Sequence, residues 1–297
     1  MASEMEKTGR QMNFDNWVVR ASQAGLIMTG TFGITENQKQ TIAKLEEKLA
    51  SGKALTDLQS IEYNSLLFKR ENPELSKTTI SELRKIYRQE KYGRKFMFTN
   101  KYLQKGILQE EESITLLSRH LGIPLFKNSE RRTDDFFTGE PDIVPNVKVK
   151  RGRDIKSSWS LDTFPWKDDS LDSGYEWQNI VYSHLWKCDA WITDFCLVNA
   201  TERMVYNEKM KYFYALGQPE PDDENYKNIC REIERNMIFD VERFKRDYPS
   251  FDFDNEDLDF TIPESDRVVS FEVEFSKPRI EELKERIVEC RKYLNSL

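Results

Sequence analysis

The chain has 297 residues, with 52 acidic and 45 basic side chains, so its net charge is −7. Hydrophobic residues make up 38% and aromatic residues 12%, which is enough to bury a core and excludes a largely disordered chain. A net acidic chain does not coat nucleic acid through bulk charge, although a local basic surface can still bind it.

Cysteine spacing and hydropathy indicate the compartment. The four cysteines form no Cys-x-x-Cys pair, which favours free thiols in a reducing cytosol over an iron–sulfur site. No apolar run approaches the length of a membrane span, and the polar segment Met1–Arg10 does not resemble a secretory signal. These features predict a cytoplasmic protein with no membrane partner.

Helices dominate the predicted elements of the first hundred residues. Capping boxes at Thr35 and Gln38, and again at Thr56 and Gln59, predict the first residues of two helices. A third helix follows, with Leu83 on its apolar face. The segment is therefore expected to be mainly helical.

A basic run leads out of this region. Between residues 84 and 105, eight basic side chains accompany a single acid, Glu90. Most charge runs form a solvated helix face, but the position of this one favours a wall that faces phosphates. The bases are Arg84, Lys85, Arg88, Lys91, Arg94, Lys95, Lys101 and Lys105.

Helices and strands alternate in the rest of the chain, which predicts an α/β core. A loop with seven acids and no base spans residues 248–266. Helices are predicted at Leu108–Leu121, Tyr175–Trp186, Asn225–Phe244 and Pro278–Leu294. Strands are predicted at Phe136–Phe137, Asp142–Val144, Val147–Lys156, Ala190–Val198 and Val268–Phe275.

The most specific chemistry lies at the two ends of a predicted β-hairpin. Asp142 follows Gly-Glu-Pro, and Asp154-Ile155-Lys156 follows eleven residues later. Side chains two apart on a strand share a face, so Lys156 is expected beside Asp154. A lone Asp-x-Lys carries little information, but the whole combination is much less common. Four further bases between residues 148 and 153 either grip a phosphate backbone or form a solvated hairpin tip.

Two carboxylates and a lysine fit metal-dependent phosphodiester hydrolysis. Mg²⁺ or Mn²⁺ prefers oxygen ligands, which Asp142, Asp154 and the backbone carbonyl of Ile155 can supply. Lys156 can orient the attacking water, transfer a proton if its pKa is depressed, or stabilise the transition state electrostatically. His120 and His184 are the only histidines, so a histidine-based metal site is not expected.

The motif Gly-Glu-Pro-Asp followed by Asp-Ile-Lys resembles the PD-(D/E)xK nuclease superfamily. Two flanking blocks narrow the resemblance to lambda-exonuclease-like, or YqaJ-type, phage recombination nucleases. Gly106-Ile-Leu-Gln-Glu110 is similar to their Gly-x-x-x-Glu helix. Tyr175-Glu-Trp-Gln178 with Tyr182 one turn later is similar to their Tyr-x-x-Gln helix.

The resemblance implies roles for residues outside the central motif. Glu110 would be a helix carboxylate that helps to hold metal, although Glu111 and Glu112 are adjacent acids. Gln178 would contact the active-site lysine or the substrate. Tyr182 would pack beneath Gln178 and belong to the DNA-binding surface.

Further DNA contacts are expected on both sides of the motif. The segment Trp17–Ser22 resembles the family element in which an arginine and a serine bind a terminal 5′-phosphate, with Arg20 nearer the serine than in the family. Ser22 is equally well explained as a helix cap. Ser157 and Trp159 follow the catalytic strand, and Trp159 either stacks on bases or packs in the core.

These observations predict an α/β fold of the restriction-endonuclease-like PD-(D/E)xK type, with a central mixed sheet flanked by helices. The expected division is an N-terminal helical region (1–95), a nuclease core (96–205) and a C-terminal extension (206–297). The expected activity is Mg²⁺- or Mn²⁺-dependent exonuclease action on double-stranded DNA. The alternatives are an endonuclease for branched or single-stranded DNA and a non-catalytic DNA-binding or partner-recruiting module. Besides DNA, a single-strand annealing protein and further copies of the chain are candidate partners, and the host cytoplasm is the expected location if the chain is phage-encoded.

Overall fold

The structure is a computed structural model that describes residues 12–30, 32–95, 99–220 and 222–297. The polar segment Met1–Arg10 lies outside these residues. The helices are α1 Ala24–Met28, α2 Glu36–Ala50, α3 Asp57–Glu71, α4 Lys77–Tyr92, α5 Lys101–Leu121, α6 Ser173–Trp186, α7 Glu202–Ala215, α8 Glu224–Met237, α9 Val241–Asp247 and α10 Lys277–Asn295. The strands are β1 Val19–Arg20, β2 Arg132–Thr133, β3 Phe137–Gly139, β4 Gly152–Ser157, β5 Ala190–Cys196 and β6 Val268–Glu274.

Local capping chemistry sets the first residues of the N-terminal helices. Both predicted capping boxes are present, at Thr35 before α2 and at Thr56 before α3. The side chain of Asn100 accepts a hydrogen bond from Leu103 N–H at 2.8 Å and starts α5 seven residues before the predicted Leu108. Gly106 therefore lies inside this helix rather than before it.

The predicted long helix Asn225–Phe244 is wrong as a single element. Asn199 Oδ1 accepts hydrogen bonds from the backbone N–H groups of Phe239 and Asp240, which holds these residues outside a helix. The Asp240 side chain then caps Arg243 N–H and starts α9. Helix α7 was not predicted, and its first residue is fixed by Thr201, whose side chain accepts from Met204 N–H.

The predicted single central sheet is found, within the described residues, as two three-stranded mixed sheets. Their strand orders are β1-β3-β2 and β4-β5-β6. Strand β5 pairs in parallel with β4 and antiparallel with β6. The predicted hairpin is reduced to one antiparallel bridge between Ile143 and Arg153, because the Asn146 side chain accepts from two backbone N–H groups in a turn that interrupts the predicted strand. Because β6 pairs with β5, the C-terminal segment completes the sheet that carries the central motif.

Packing joins the two ends of the chain. The first hydrophobic cluster contains residues from Phe14 to Leu294, and α10 packs against α1, α4 and α6. Helices α1 and α6 cross closely at Gly25, where an added Cβ would lie 2.5 Å from the Cα of Gly174. The cluster thus includes residues from all three predicted segments, whose division stays a prediction. Within the described residues, no helix is both long and apolar enough to cross a bilayer.

Candidate active site

Strand β4 positions two of the three central side chains. Asp154 and Lys156 lie on one face of it, and Lys156 Nζ is 2.5 Å from Asp154 Oδ2. Behind them, Asp194 on β5 is fully buried and accepts hydrogen bonds from Arg153 at 2.7 Å and from Ser270 on β6 at 2.5 Å. This buried contact ties the three strands of the sheet together beneath the site.

Asp142 reaches the same place from the chain segment before the bridge. Its Oδ2 accepts a hydrogen bond from Ile155 N–H at 2.6 Å, and its carbonyl accepts from Asn128 N–H at 2.7 Å. In an extended strand the N–H and C=O of one residue lie on the same edge. The carbonyl of Ile155 therefore lies on the strand edge that faces Asp142.

Helix α6 supplies support from below the carboxylates. Gln178 Nε2 lies 3.4 Å from Asp154 Oδ1 and donates to Tyr182 Oη at 3.1 Å, so Tyr182 packs beneath Gln178 as expected. Gln178 thus contacts Asp154 rather than Lys156. The lysine instead has its ammonium 5.0 Å from the centre of the Tyr175 ring. Close packing explains why the motif begins with a glycine, because a Cβ added at Gly139 would lie 2.8 Å from the Tyr182 ring.

The three adjacent acids of α5 separate in the structure. Glu110 lines the cleft that contains Asp142 and Asp154, and its Oε2 lies 2.7 Å from Lys127 Nζ. Glu112 turns away to an ion pair with Arg243. The placement favours Glu110 as the helix carboxylate, and its role as a metal ligand stays a proposal.

Electrostatics distinguish the two central groups. Burial, with the charge of Asp154 added to it, raises the pKa of Asp142 to about 7. Burial alone would lower the pKa of Lys156, but the charge of Asp154 and the short contact between the two groups raise it above its ordinary value. A lysine that stays charged favours the electrostatic role over proton transfer.

The donor set fits a hard cation. The cleft encloses about 770 Å³, and Asp142, Asp154 and Ile155 line it. Asp154 Oδ2 is buried beside the Lys156 ammonium. Among the described residues, no donor makes a well-aligned hydrogen bond to this oxygen. Two carboxylates and a carbonyl suit Mg²⁺ or Mn²⁺. Among the described residues, no three His, Cys, Asp or Glu side chains gather closely enough to hold a metal by themselves.

A smaller pocket adjoins the cleft. It encloses about 320 Å³ and brings together Arg20, Ser22 and Arg131, and it shares Glu140 and Tyr182 with the cleft. The alternative of Ser22 as a helix cap is wrong, because Ser22 lies inside a short 3-10 turn and the caps of this turn and of α1 make no side-chain hydrogen bond. The structure thus brings the two predicted phosphate contacts, Arg20 and Ser22, next to the metal-binding candidates.

The basic run does not form a wall along the cleft. Lys105 is fully buried and donates to the carbonyl of Trp159 at 3.0 Å, so its expected exposure to phosphate is wrong. Lys101 pairs with Glu208 on α7. The predicted DNA contacts Arg88, Lys91, Arg94 and Lys95 lie at the end of α4 and just after it, outside the cleft lining, and DNA binding by them stays a prediction.

The aromatic residues after β4 divide between core and surface. Trp159 is only 7% exposed, packs in a hydrophobic cluster with Met204 and Val205 and has the Lys101 ammonium 4.7 Å from its ring centre. Core packing is therefore an observed role of Trp159, which also lines the cleft, and base stacking by it stays a prediction; Trp166 is 77% exposed. Ser157 lines the cleft and shares a 2.8 Å hydrogen bond with the hydroxyl of Ser113.

Three functional candidates escaped the sequence reasoning. Lys127 and Arg131 occur in a segment without a recognised motif, and only the clustering of charged residues there could have drawn attention to them. Tyr175 was noted as part of the helix block, but its contact with Lys156 needs the fold.

The chain was compared with known proteins. No protein-family model and no curated protein matches it. It is similar to the crystal structure of a phage-related exonuclease from Haemophilus somnus 129PT, with 23% identity, a TM-score of 0.59 and coverage of 95% of both chains. An alkaline exonuclease from Laribacter hongkongensis, LHK-Exo, aligns at 10% identity and a TM-score of 0.45, covering 95% of this chain and 90% of its own. The complex of LHK-Exo with dAMP aligns at 12% identity and a TM-score of 0.43, covering 94% and 88%.

The Haemophilus somnus structure shows the fold. This chain has the fold of that phage-related exonuclease along nearly its whole length. The mixed α/β fold expected from the sequence is thereby confirmed, and the similarity extends to C-terminal residues for which the sequence offered no motif.

Proposed function

We propose that the chain is a divalent-cation-dependent deoxyribonuclease that removes nucleotides from an end of double-stranded DNA. The observation that carries the proposal is the meeting of Asp142, Asp154 and Lys156 in one cleft, although eleven residues separate the two aspartate motifs. The shared fold with a phage-related exonuclease supports the same reaction class.

The residues of the cleft divide the chemistry between them. Asp142, Asp154 and the Ile155 carbonyl would hold Mg²⁺ or Mn²⁺, which when bound polarises the phosphate and lowers the pKa of water. Lys156 places a positive charge beside the scissile phosphate and stabilises the charge that develops in the transition state. Gln178 fixes the orientation of Asp154, as outer groups around metal ligands do.

The adjoining pocket favours action at an end. Arg20 and Arg131 are cations that can pair with phosphate, and Ser22 can donate a hydrogen bond beside them. A terminal 5′-phosphate held there would place the neighbouring phosphodiester near the cleft, since Glu140 and Tyr182 line both spaces. This arrangement favours an exonuclease over the endonuclease and non-catalytic alternatives. An annealing-protein partner, self-association and a cytoplasmic location stay predictions.

The proposal is tested on matched DNA substrates with Mg²⁺. Linear duplex with a 5′-phosphate should be degraded faster than the same duplex with a 5′-hydroxyl, and a covalently closed circle should stay intact. Arg20→Ala should reduce the preference for the 5′-phosphate. Cleavage of the circle at a rate similar to the linear duplex would favour the endonuclease alternative.

A further inference from the structure

Lys127 is a second lysine beside the candidate active site, where it pairs with Glu110. Its ammonium lies 2.7 Å from Glu110 Oε2, the carboxylate of α5 that faces the cleft. The Lys127 side chain is 54% exposed and that of Glu110 is 23% exposed. The Lys127 ammonium thus pairs with Glu110, the carboxylate that is best placed to assist a metal ion at Asp142 and Asp154.

The backbone next to Lys127 is fixed to the segment that carries Asp142. Asn128 N–H donates to the carbonyl of Asp142 at 2.7 Å, and Asn128 Nδ2 donates to the carbonyl of Pro141 at 3.0 Å. Because the backbone beside Lys127 is held in this way, the pair can open by rotation of the two side chains without a shift of the segment.

An ammonium on a carboxylate oxygen occupies one of its lone pairs and neutralises part of its charge, so it weakens the binding of a divalent cation to the same carboxylate. Among the described residues, Glu110 is not gathered with Asp142 and Asp154 into a group that could hold a metal. The ion pair with Lys127 is the contact that would have to break for Glu110 to turn to a cation.

We propose that Lys127 competes with the divalent cation for Glu110 and gives way when DNA enters the cleft. A phosphate of the substrate draws the ammonium away from Glu110, which frees this carboxylate for the cation. DNA and the cation thereby favour each other's binding, because each weakens the same ion pair. The inference rests on the proposed metal site at Asp142 and Asp154.

The size of the effect follows from the exposure of the pair. Ion pairs that are partly open to water change binding constants by about two- to fivefold. Removing the ammonium of Lys127 should tighten cation binding to the free protein by this factor.

The test is calorimetric titration of the full chain with Mn²⁺ in the absence of DNA, which needs no catalysis. Lys127→Met should bind Mn²⁺ about two- to fivefold more tightly than the wild type. Arg131→Met is the matched control, because Arg131 has the same 54% exposure and a 2.7 Å pair with Glu140, which also lines the cleft. This control should change the affinity for Mn²⁺ less than Lys127→Met does.

A double-mutant cycle separates direct competition from a general change in charge. In a Glu110→Gln background, Lys127→Met should leave the affinity for Mn²⁺ unchanged. The proposal is overturned if Lys127→Met does not tighten binding, or tightens it equally in both backgrounds. Circular dichroism of each variant checks that the protein is folded. Lys127→Gln is a second substitution that also removes the ammonium and should give the same result as Lys127→Met.

Two further measurements complete the test. With Ca²⁺ as the cation, the gain in DNA affinity on adding the ion should be smaller for Lys127→Met than for the wild type, and an equal gain contradicts the coupling. Wild-type Mn²⁺ affinity in Asp142→Asn and Asp154→Asn would instead refute the metal site of the proposed function, whatever Lys127 does.

Discussion

The buried Lys105 side chain is expected to make the stability of the protein depend on pH, and this dependence can be measured. The side chain is fully buried in α5, donates to the Trp159 carbonyl at 3.0 Å, and has its ammonium 5.2 Å from the centre of the Phe239 ring. Burial lowers the pKa of Lys105 to about 7. The perturbation is Lys105→Met, which keeps the length of the side chain and removes its charge.

The direction of the pH effect follows from the lowered pKa. Below about pH 7 the lysine is charged in both the folded and the unfolded chain, so its burial opposes folding in full. Between about pH 7 and 10.5, the ordinary pKa of a lysine, the unfolded chain binds more protons than the folded one. The free energy of unfolding therefore gains about 1.4 kcal/mol per pH unit from Lys105 across this window, up to roughly 5 kcal/mol in total.

The assay is urea unfolding of the wild type and Lys105→Met at pH 6, 7, 8 and 9. Other titrating groups are common to both proteins and largely cancel in the difference. The unfolding free energy of the variant relative to the wild type should be constant from pH 6 to 7 and then fall by about 1.4 kcal/mol per unit. The variant leaves the Trp159 carbonyl without its donor, which costs about 1–3 kcal/mol at every pH. A difference that does not vary between pH 6 and 9 would refute the buried, weakly basic lysine.

Three further substitutions test the packing and the support around the site. Gly139→Ala should lower the unfolding free energy by about 1–3 kcal/mol in urea, because the new Cβ meets the Tyr182 ring at 2.8 Å. Gly106→Ala, inside a helix with nothing within 4 Å of the added Cβ, should instead raise it by about 0.5–1 kcal/mol. Gln178→Ala should lower kcat on linear DNA, or the affinity for Mn²⁺, by about 10- to 100-fold, since it releases Asp154 from its partner. Unchanged kinetics and Mn²⁺ binding in that variant would count against the positioning role.

Short-range chemistry made part of the fold predictable. The capping boxes at Thr35 and Thr56 depend on contacts three residues apart, so the sequence alone specifies where α2 and α3 begin. The break between α8 and α9 depends on Asn199, about forty residues earlier, and no local pattern reveals such a contact.

The candidate site shows the same limit. The proximity of Asp154 and Lys156 follows from strand periodicity, which the sequence contains. The burial of Lys105 and the ion pair of Lys127 with Glu110 depend on how α5 packs in three dimensions. Charge runs alone therefore misplace Lys105 and give no sign of the role of Lys127.

The proposed function requires Asp142 and Asp154 to hold the divalent cation with which the protein cleaves DNA. The most direct test is a time course of end-labelled linear duplex DNA with Mg²⁺, comparing the wild type with Asp142→Ala and with the exposed-site control Asp259→Ala. The wild type and the control should remove nucleotides from the ends in a Mg²⁺-dependent manner, and folded Asp142→Ala should not degrade the DNA. Undiminished digestion by Asp142→Ala would contradict the proposed metal site.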